Sequence, residues 1–435
     1  MAYRVGLATL GCKVSQYESE ALLEEFARRG YTPVDFDTPA DVYVINTCTV
    51  TAESDRKSRQ FIRRAVSKNP DAVVAVMGCY SQRAANEVAA IDGVDIVIGT
   101  ADKMKVVDLA IEYLDGKRAG QYISAPPLDN EKFEPMCVKE APRTRAYVKI
   151  EDGCESRCSY CAINFARGPV RSKSPADVIS EVEGLYKNGT REVVLTGIET
   201  GSYGRDLGGE CDLTGIILEL DKRESCERLR LGSLAPELVG EKFVLRVKDA
   251  KILTPHFHLS MQSGSDTVLR LMRRRYSRTY ALETIELFRK HIPGVQFTTD
   301  LMVGFPGETE ECFLETVDFV RRAKFLDAHV FAYSEREGTD AVSLPNPVPK
   351  KERQRRSKEL MKVVREVRDE ILDGIVKGEK PLCCILETAE DGYFTAHSDE
   401  FIEVHVPAPE KRQGDRVIVI PVSHKNGIVY GKLAD

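Results

Sequence analysis

Short apolar runs alternate with amphipathic segments from residue 4 to residue 334. Runs at 4–10, 42–47, 73–78 and 96–99 read as buried parallel strands. The segments between them, 16–29 behind a Ser15 cap, 52–68, 81–90 and 103–114, read as helices. Parallel strands joined by helical crossovers make a three-layer sheet, so residues 1–120 are expected to form an α/β domain of that type. Pro-rich, aperiodic residues 121–142 read as a linker. The rhythm then restarts and runs for six units within 143–348, with strands at 146–151, 192–197, 229–233, 256–262, 296–304 and 327–334. Helices at 175–187 (Ser174 cap, proline in the first turn), 236–247, 280–291 and 310–324 follow them. Six units favour an open (βα)6 partial TIM barrel over a closed eightfold one, with its active face at the strand C-termini. Residues 349–377, with KKERQRR directly after Pro349, read as a helical connector. Runs at 382–387, 393–398, 402–406, 416–422 and 428–433, with turns DG at 391–392 and NG at 426–427, make 378–435 a small β-barrel of the kind used for RNA.

With 435 residues and a net charge of −6, the chain makes no global electrostatic case for nucleic acid. It has no unbroken apolar stretch of the ~18 residues a membrane span needs. Its first residues, MAYRVGLATLGC, are no signal peptide, so a cytoplasmic location is expected. Twelve cysteines are too sparse for a disulfide scaffold in so long a chain. In a reducing compartment such an excess points to metal binding or catalysis, the remainder acting as small buried hydrophobes.

TLGC, INTC and MGC place Cys12, Cys48 and Cys79 at the ends of three predicted strands. In an open parallel sheet those ends share one edge, where ligands bind. One such cysteine alone would be structural; three at equivalent positions argue for a common ligand. GCESRCSYC then gives Cys154, Cys158 and Cys161 as CxxxCxxC, on the loop after the first barrel strand. Thiolates so spaced wrap one corner of an iron–sulfur cluster, whose irons favour soft sulfur, and leave a fourth iron free for chemistry. Zinc is the competing reading, weakened because no second CxxC knuckle lies nearby. Cys137, Cys211, Cys226, Cys312, Cys383 and Cys384 lack ligand spacing and read as structural.

At CxxxCxxC the chain resembles the radical S-adenosylmethionine enzymes, and over its whole length it resembles their methylthiotransferases. The passages are TLGCKVSQYESE, INTCTVT, MGCYSQR, RAYVKIEDGCESRCSYCAINFARGPVRS, VLTGIETGSYG, HFHLSMQSGSD, TTDLMVGFPGETEE and VFAYSEREGT. LGCKV and LTGIETGSYG look most like the branch acting on N6-threonylcarbamoyladenosine beside the tRNA anticodon. The isopentenyladenosine branch and the branch acting on a ribosomal protein look less similar. The resemblance implies a C-terminal TRAM domain, and a 4Fe-4S cluster on Cys154, Cys158 and Cys161 that cleaves S-adenosylmethionine to a 5′-deoxyadenosyl radical. It implies a second, auxiliary 4Fe-4S cluster on Cys12, Cys48 and Cys79 that carries the sulfur to be transferred. It also implies a contact from Tyr160 to the cofactor adenine and from Thr196 and Gly197 to its methionine part. Ser233, Gln262 and Gly304 fall at the same rim as candidate cofactor contacts. Glu199 is unassigned, because TGIE departs from the GGE of many radical enzymes. His256 and His258 share a strand face and read as structural.

The implied partners are a tRNA anticodon stem-loop and an electron donor such as flavodoxin or ferredoxin; the sulfur donor is not readable. Arg167 and Arg171 beside the cluster loop, and Arg273, Arg274 and Arg275 after barrel strand four, are candidate RNA contacts, with solvated faces as the alternative. A basic segment from Arg56 to Lys68 offers a second such face. A non-catalytic iron–sulfur or RNA-binding protein is the competing class, but it needs neither a six-unit barrel nor two cysteine triplets.

Overall fold

The computed structural model describes residues 3–129, 131–141, 144–209 and 211–434. Its first sheet has six parallel strands in the order Thr32–Val34, Arg4–Thr9, Val42–Thr47, Val73–Gly78, Ile96–Ile98 and Tyr122–Ser124. Because side chains alternate along a strand, each strand feeds two cores. Val5, Val44, Ala75 and Ile98 face the helices Lys13–Arg28 and Lys105–Leu114. Tyr43, Ile45, Val74 and Val76 face the helix Ala52–Lys68. This is the expected three-layer unit, with local corrections. The first helix starts at Lys13 with Cys12 as its N-cap, so Ser15 lies inside the helix, buried, rather than capping it. The expected helix 81–90 is two short ones, Cys79–Arg83 and Ala85–Ala89, separated at Ala84, whose backbone is not helical. The expected linker 121–142 begins with an edge strand of this sheet.

The second unit is an open barrel of parallel strands in chain order. Arg145–Lys149, Glu192–Thr196 and Arg228–Leu231 form one arc. Ser233–Leu234, His256–Gln262, Gln296–Val303 and Asp327–Ala332 form the other. The third strand passes from one arc to the other at Gly232, where a Cβ would stand 2.7 Å from Thr200 Oγ1. Phenylalanines 257, 288 and 297 pack edge-on in the core between strands and helices.

The last five strands, Leu382–Glu390, Tyr393–Ser398, Glu403–Pro407, Ile428–Leu433 and Arg416–Lys425, close into a barrel. The connector is one 28-residue helix, Lys350–Lys377, that packs Leu360, Val363, Val364 and Val367 on the large barrel and Leu372 on the small one. Three arginines of its basic front end are paired: Arg353, Arg355 and Arg356 with Glu335, Glu310 and Glu308. The small barrel sits under the N-terminal ends of the large barrel's strands. There Arg228 donates to the carbonyls of His397 and Cys383, Arg230 donates to those of Ser398 and Asp399, and Phe401 stacks on His256 at 4.6 Å. The opposite rim is thereby left to chemistry. Among the described residues no helix is long and apolar enough to cross a membrane.

Candidate functional site

The loop carrying Cys154, Cys158 and Cys161 is closed at its base by a two-stranded pairing of Glu151–Asp152 with Arg171–Ser172. Gly153 makes this closure possible: its φ is +89°, and a Cβ there would lie 1.9 Å from Pro169 O. Cys154 N donates to Gly168 O, Asn164 Nδ2 to Cys154 O, and Ser159 N to Met272 O, so both ends and the middle of the loop are fixed. The three cysteines line a cavity of about 770 Å³. Each sulfur accepts one donor: Ser156 N at 3.5 Å on Cys154, Arg274 Nη1 at 3.5 Å on Cys158, and Ile163 N at 3.4 Å on Cys161.

Cys12, Cys48 and Cys79 follow three neighbouring strands of the first sheet, and their thiols act on one another electrostatically. Gly11 lets the backbone run beside Cys48, whose Sγ would be 3.5 Å from a Cβ at that position. Arg167 Nε donates to Cys79 Sγ at 3.2 Å, and Cys12 Sγ lies 3.9 Å from Ser15 Oγ. Burial raises the Cys48 and Cys154 thiols and pushes Cys79 up to about 11 and Cys161 up to about 12. Bare, these groups hold their protons; a bound metal would displace them.

Two triads of soft thiols, each met by N–H donors, fit iron–sulfur clusters. Among the described residues no three Cys, His, Asp or Glu side chains close on a single point as one metal ion requires.

The other expected residues divide. Tyr160 packs edge-on against Phe305, with ring centroids 6.2 Å apart, and its hydroxyl lies in the field of Cys158 and Arg274. Thr196 is buried, and a Cβ at Gly197 would meet Glu151 Oε2 at 2.4 Å. Ser233 is half-buried at the step between the arcs, and Gln262 ends its strand with φ +64°, a strained conformation at the rim. At Gly304 the N–H donates to Glu308 at 2.8 Å and the Cβ position faces Arg353. His256 and His258 share Thr298 Oγ1 as a hydrogen-bond partner, as structural histidines do.

Three expected RNA contacts are corrected. Arg167 is fully buried and clamped by Glu18 and Asp152. Arg171 is buried too, donating to Arg167 O. Arg274 lies over the Tyr276 ring and bonds Ser260 O and Cys158, its side chain 6% exposed. None of the three is placed to reach a phosphate on the surface. Arg273 and Arg275 are exposed, Arg273 pairing with Asp340 at the cavity mouth. In the helix Ala52–Lys68, Arg56, Arg64 and Lys68 are paired with Glu53 and Asp37.

Sequence reasoning left out two residues. Glu199 is buried behind the cysteine loop, accepts from Ala235 N, and is pushed up to about 7 by burial. Arg336 reaches from the loop after the last barrel strand to Asp55 at 2.6 Å and Thr49 at 2.7 Å, next to Cys48. The E of TGIE was a visible signal for the first; nothing in the sequence announces the second.

A model of the Radical SAM superfamily matches residues 148–320, and one of Uncharacterized protein family UPF0004 matches residues 4–99. The chain is 38% identical over 425 residues to the threonylcarbamoyladenosine tRNA methylthiotransferase of Bacillus subtilis (strain 168), covering 95% of this chain and 93% of that one. It is 32% identical over 372 residues to the tRNA-2-methylthio-N(6)-dimethylallyladenosine synthase of Clostridioides difficile (strain 630), covering 84% and 77%. In fold it is similar to the radical S-adenosylmethionine methyltransferase TsrM from Kitasatospora setae, with a TM-score of 0.54 and 16% identity over 76% of this chain and 72% of that one.

Proposed function

This chain belongs to the radical S-adenosylmethionine methylthiotransferase family, and we propose that it inserts a methylthio group at C2 of N6-threonylcarbamoyladenosine beside the tRNA anticodon. It is a transferase whose cofactors are S-adenosylmethionine and 4Fe-4S clusters. We assign Cys154, Cys158 and Cys161 to the cluster that meets S-adenosylmethionine, and Cys12, Cys48 and Cys79 to the auxiliary one. When bound, these groups supply the one-electron chemistry that an unactivated aromatic C–H demands and the sulfur that replaces its hydrogen.

The protein's own residues build the place. The Glu151–Ser172 pairing holds the cysteine loop, Arg274 and two backbone amides stabilise sulfur charge, and Phe305 fixes the Tyr160 ring. The reaction is assigned to the cytoplasm, with a flavodoxin- or ferredoxin-type electron donor.

One observation carries the choice of base. Threonylcarbamoyl bears a carboxylate, which is costly to bury without a cation, whereas isopentenyl wants an apolar slot. The cavity at the three motif cysteines presents Arg157, exposed and without an ion-pair partner among the described residues. Its φ of +49° is the strained kind that functional loops keep. The test offers reconstituted enzyme two anticodon stem-loops, one with each modification. Turnover of the threonylcarbamoyl form is expected, with Arg157→Ala raising its KM. Turnover of the isopentenyl form alone would overturn the assignment.

A further inference from the structure

Arg167 links the two cysteine sites. It ends the short helix Ile163–Arg167, which begins two residues after Cys161. Its guanidinium is entirely removed from solvent, and all three of its nitrogens donate. Nη1 donates to Glu18 Oε1 at 2.6 Å and to Asp152 Oδ2 at 3.2 Å, Nη2 to Glu18 Oε2 at 3.3 Å, and Nε to Cys79 Sγ at 3.2 Å. Glu18 belongs to the helix that Cys12 caps, and Asp152 lies two residues before Cys154. Carboxylates from the neighbourhood of each triad therefore hold the fork, and the fork points at a sulfur.

The charges around it make a second, independent argument. Four cations (Arg167, Lys103, Lys149 and Arg171) share three carboxylates (Glu18, Asp152 and Glu134). A buried excess of one positive charge is costly. The sulfur of a metal-bound Cys79 carries the missing negative charge, and it lies where Arg167 points.

Resting on the assignment of Cys12, Cys48 and Cys79 to a cluster, we infer that Arg167 is a positioning residue for that auxiliary site: it fixes the Cys79 sulfur, withdraws charge from it through its Nε–H, and joins the site to the loop of the other triad. Hydrogen bonds and positive charge at a ligand sulfur favour the reduced cluster, so they raise its potential. Arg171, also buried but donating to a carbonyl, has no such role.

The test uses the full chain carrying Cys154→Ala, Cys158→Ala and Cys161→Ala, reconstituted with iron and sulfide so that only the auxiliary triad can load. Iron content, circular dichroism and the midpoint potential from an EPR-monitored redox titration are compared for this parent, for Arg167→Lys and for Arg171→Lys. Lysine keeps a cation for Glu18 and Asp152 but cannot hold both carboxylates and the sulfur in one planar fork. The expected result is retained iron with a more negative potential in Arg167→Lys, and an unshifted potential in Arg171→Lys. Loss of auxiliary iron in Arg167→Lys with an unchanged fold also supports the inference, since Cys79 is then no longer placed. Equal potentials in parent and Arg167→Lys overturn it, as does loss of fold together with iron, which would make the arginine merely structural. A parent that loads no iron refutes the cluster assignment itself, a failure distinct from the other two.

Discussion

Glu18→Gln is nearly isosteric and removes one buried negative charge. In the native protein that carboxylate accepts from Arg167 at 2.6 and 3.3 Å and from Lys149 at 2.9 Å, with Lys103 3.2 Å away. Breaking a buried ion pair by deleting one partner costs about 3–5 kcal/mol. Here each cation keeps another acceptor: Arg167 and Lys149 keep Asp152, and Lys103 keeps Glu134 and the Thr100 carbonyl. The lower end, about 3 kcal/mol, is therefore the expected loss, and at 1.4 kcal/mol per factor of ten it exceeds a hundredfold. The loss falls on the junction between the helix Lys13–Arg28 and the barrel strand Arg145–Lys149, so native-state hydrogen exchange reads it directly. Amides of that helix should exchange about a hundredfold faster in Glu18→Gln, while those of the small C-terminal barrel stay unchanged. The sign with pH follows from the same contacts. Burial opposes ionisation of Glu18, but Arg167, Lys103 and Lys149 outweigh it and hold its carboxyl well below the usual range. Its stabilisation is present above the ordinary carboxylate pKa and disappears as pH falls through the folded value, so the variant should lose part of its acid sensitivity. Less than about a threefold change in exchange would show that the lysines and arginine need no anion at this position, refuting the charge accounting.

Arg336→Gln should loosen the segment after Cys48, which Ala52 N still ties to Ser334, so S-adenosylmethionine cleavage persists while methylthio product falls by about tenfold or more; equal loss of both would contradict this. His256 is held well below its ordinary value of 6.5 by burial, then by Arg230, His258 and Lys13, with Glu192 opposing. Its contribution is present above that ordinary value and lost as pH falls, so acid should loosen the small barrel that Phe401 docks on it, and His256→Asn should flatten the low-pH limb of an unfolding-versus-pH curve. Neutralising exposed Arg273 and Arg275 together should lower the log–log salt slope of tRNA binding by roughly 0.7–0.9 per lost phosphate contact; an unchanged slope returns them to solvated faces.

Much of this was readable because it was local. Strands at 42–47, 73–78 and 256–262 have the expected bounds, since each is an unbroken apolar or alternating run between turn signals. The six motif cysteines reach two rims because strand ends dictate where the following residue goes. Cys12 as an N-cap was not readable: the rule looks for a side-chain oxygen, found Ser15, and Cys12 itself makes no side-chain capping bond. The arginines failed for a different reason. Arg167 and Arg274 read as surface cations because their partners, Glu18 and Cys158, lie 149 and 116 residues away in sequence.

A different local signal was nevertheless present. In the first helix, positions 14, 15, 17, 18, 19, 21, 22 and 26 are buried; five are apolar and two are serines. The eighth, and the one charged residue among them, is Glu18. A carboxylate in the middle of an apolar stripe is either an error in the helix assignment or half of a buried pair, because an unpaired one is too costly to keep. Lys149 poses the same question from the end of a buried strand, and Asp152 poses it three residues later. Each unit offers part of the answer itself, Lys103 beside Glu18 and Asp152 beside Lys149, and the remaining pairs, Glu18 with Lys149 and Arg167, run between the units. The two units dock through Glu18 and the segment from Lys149 to Asp152, and that docking brings Cys12, which caps the same helix, to the side of the barrel that carries Cys154.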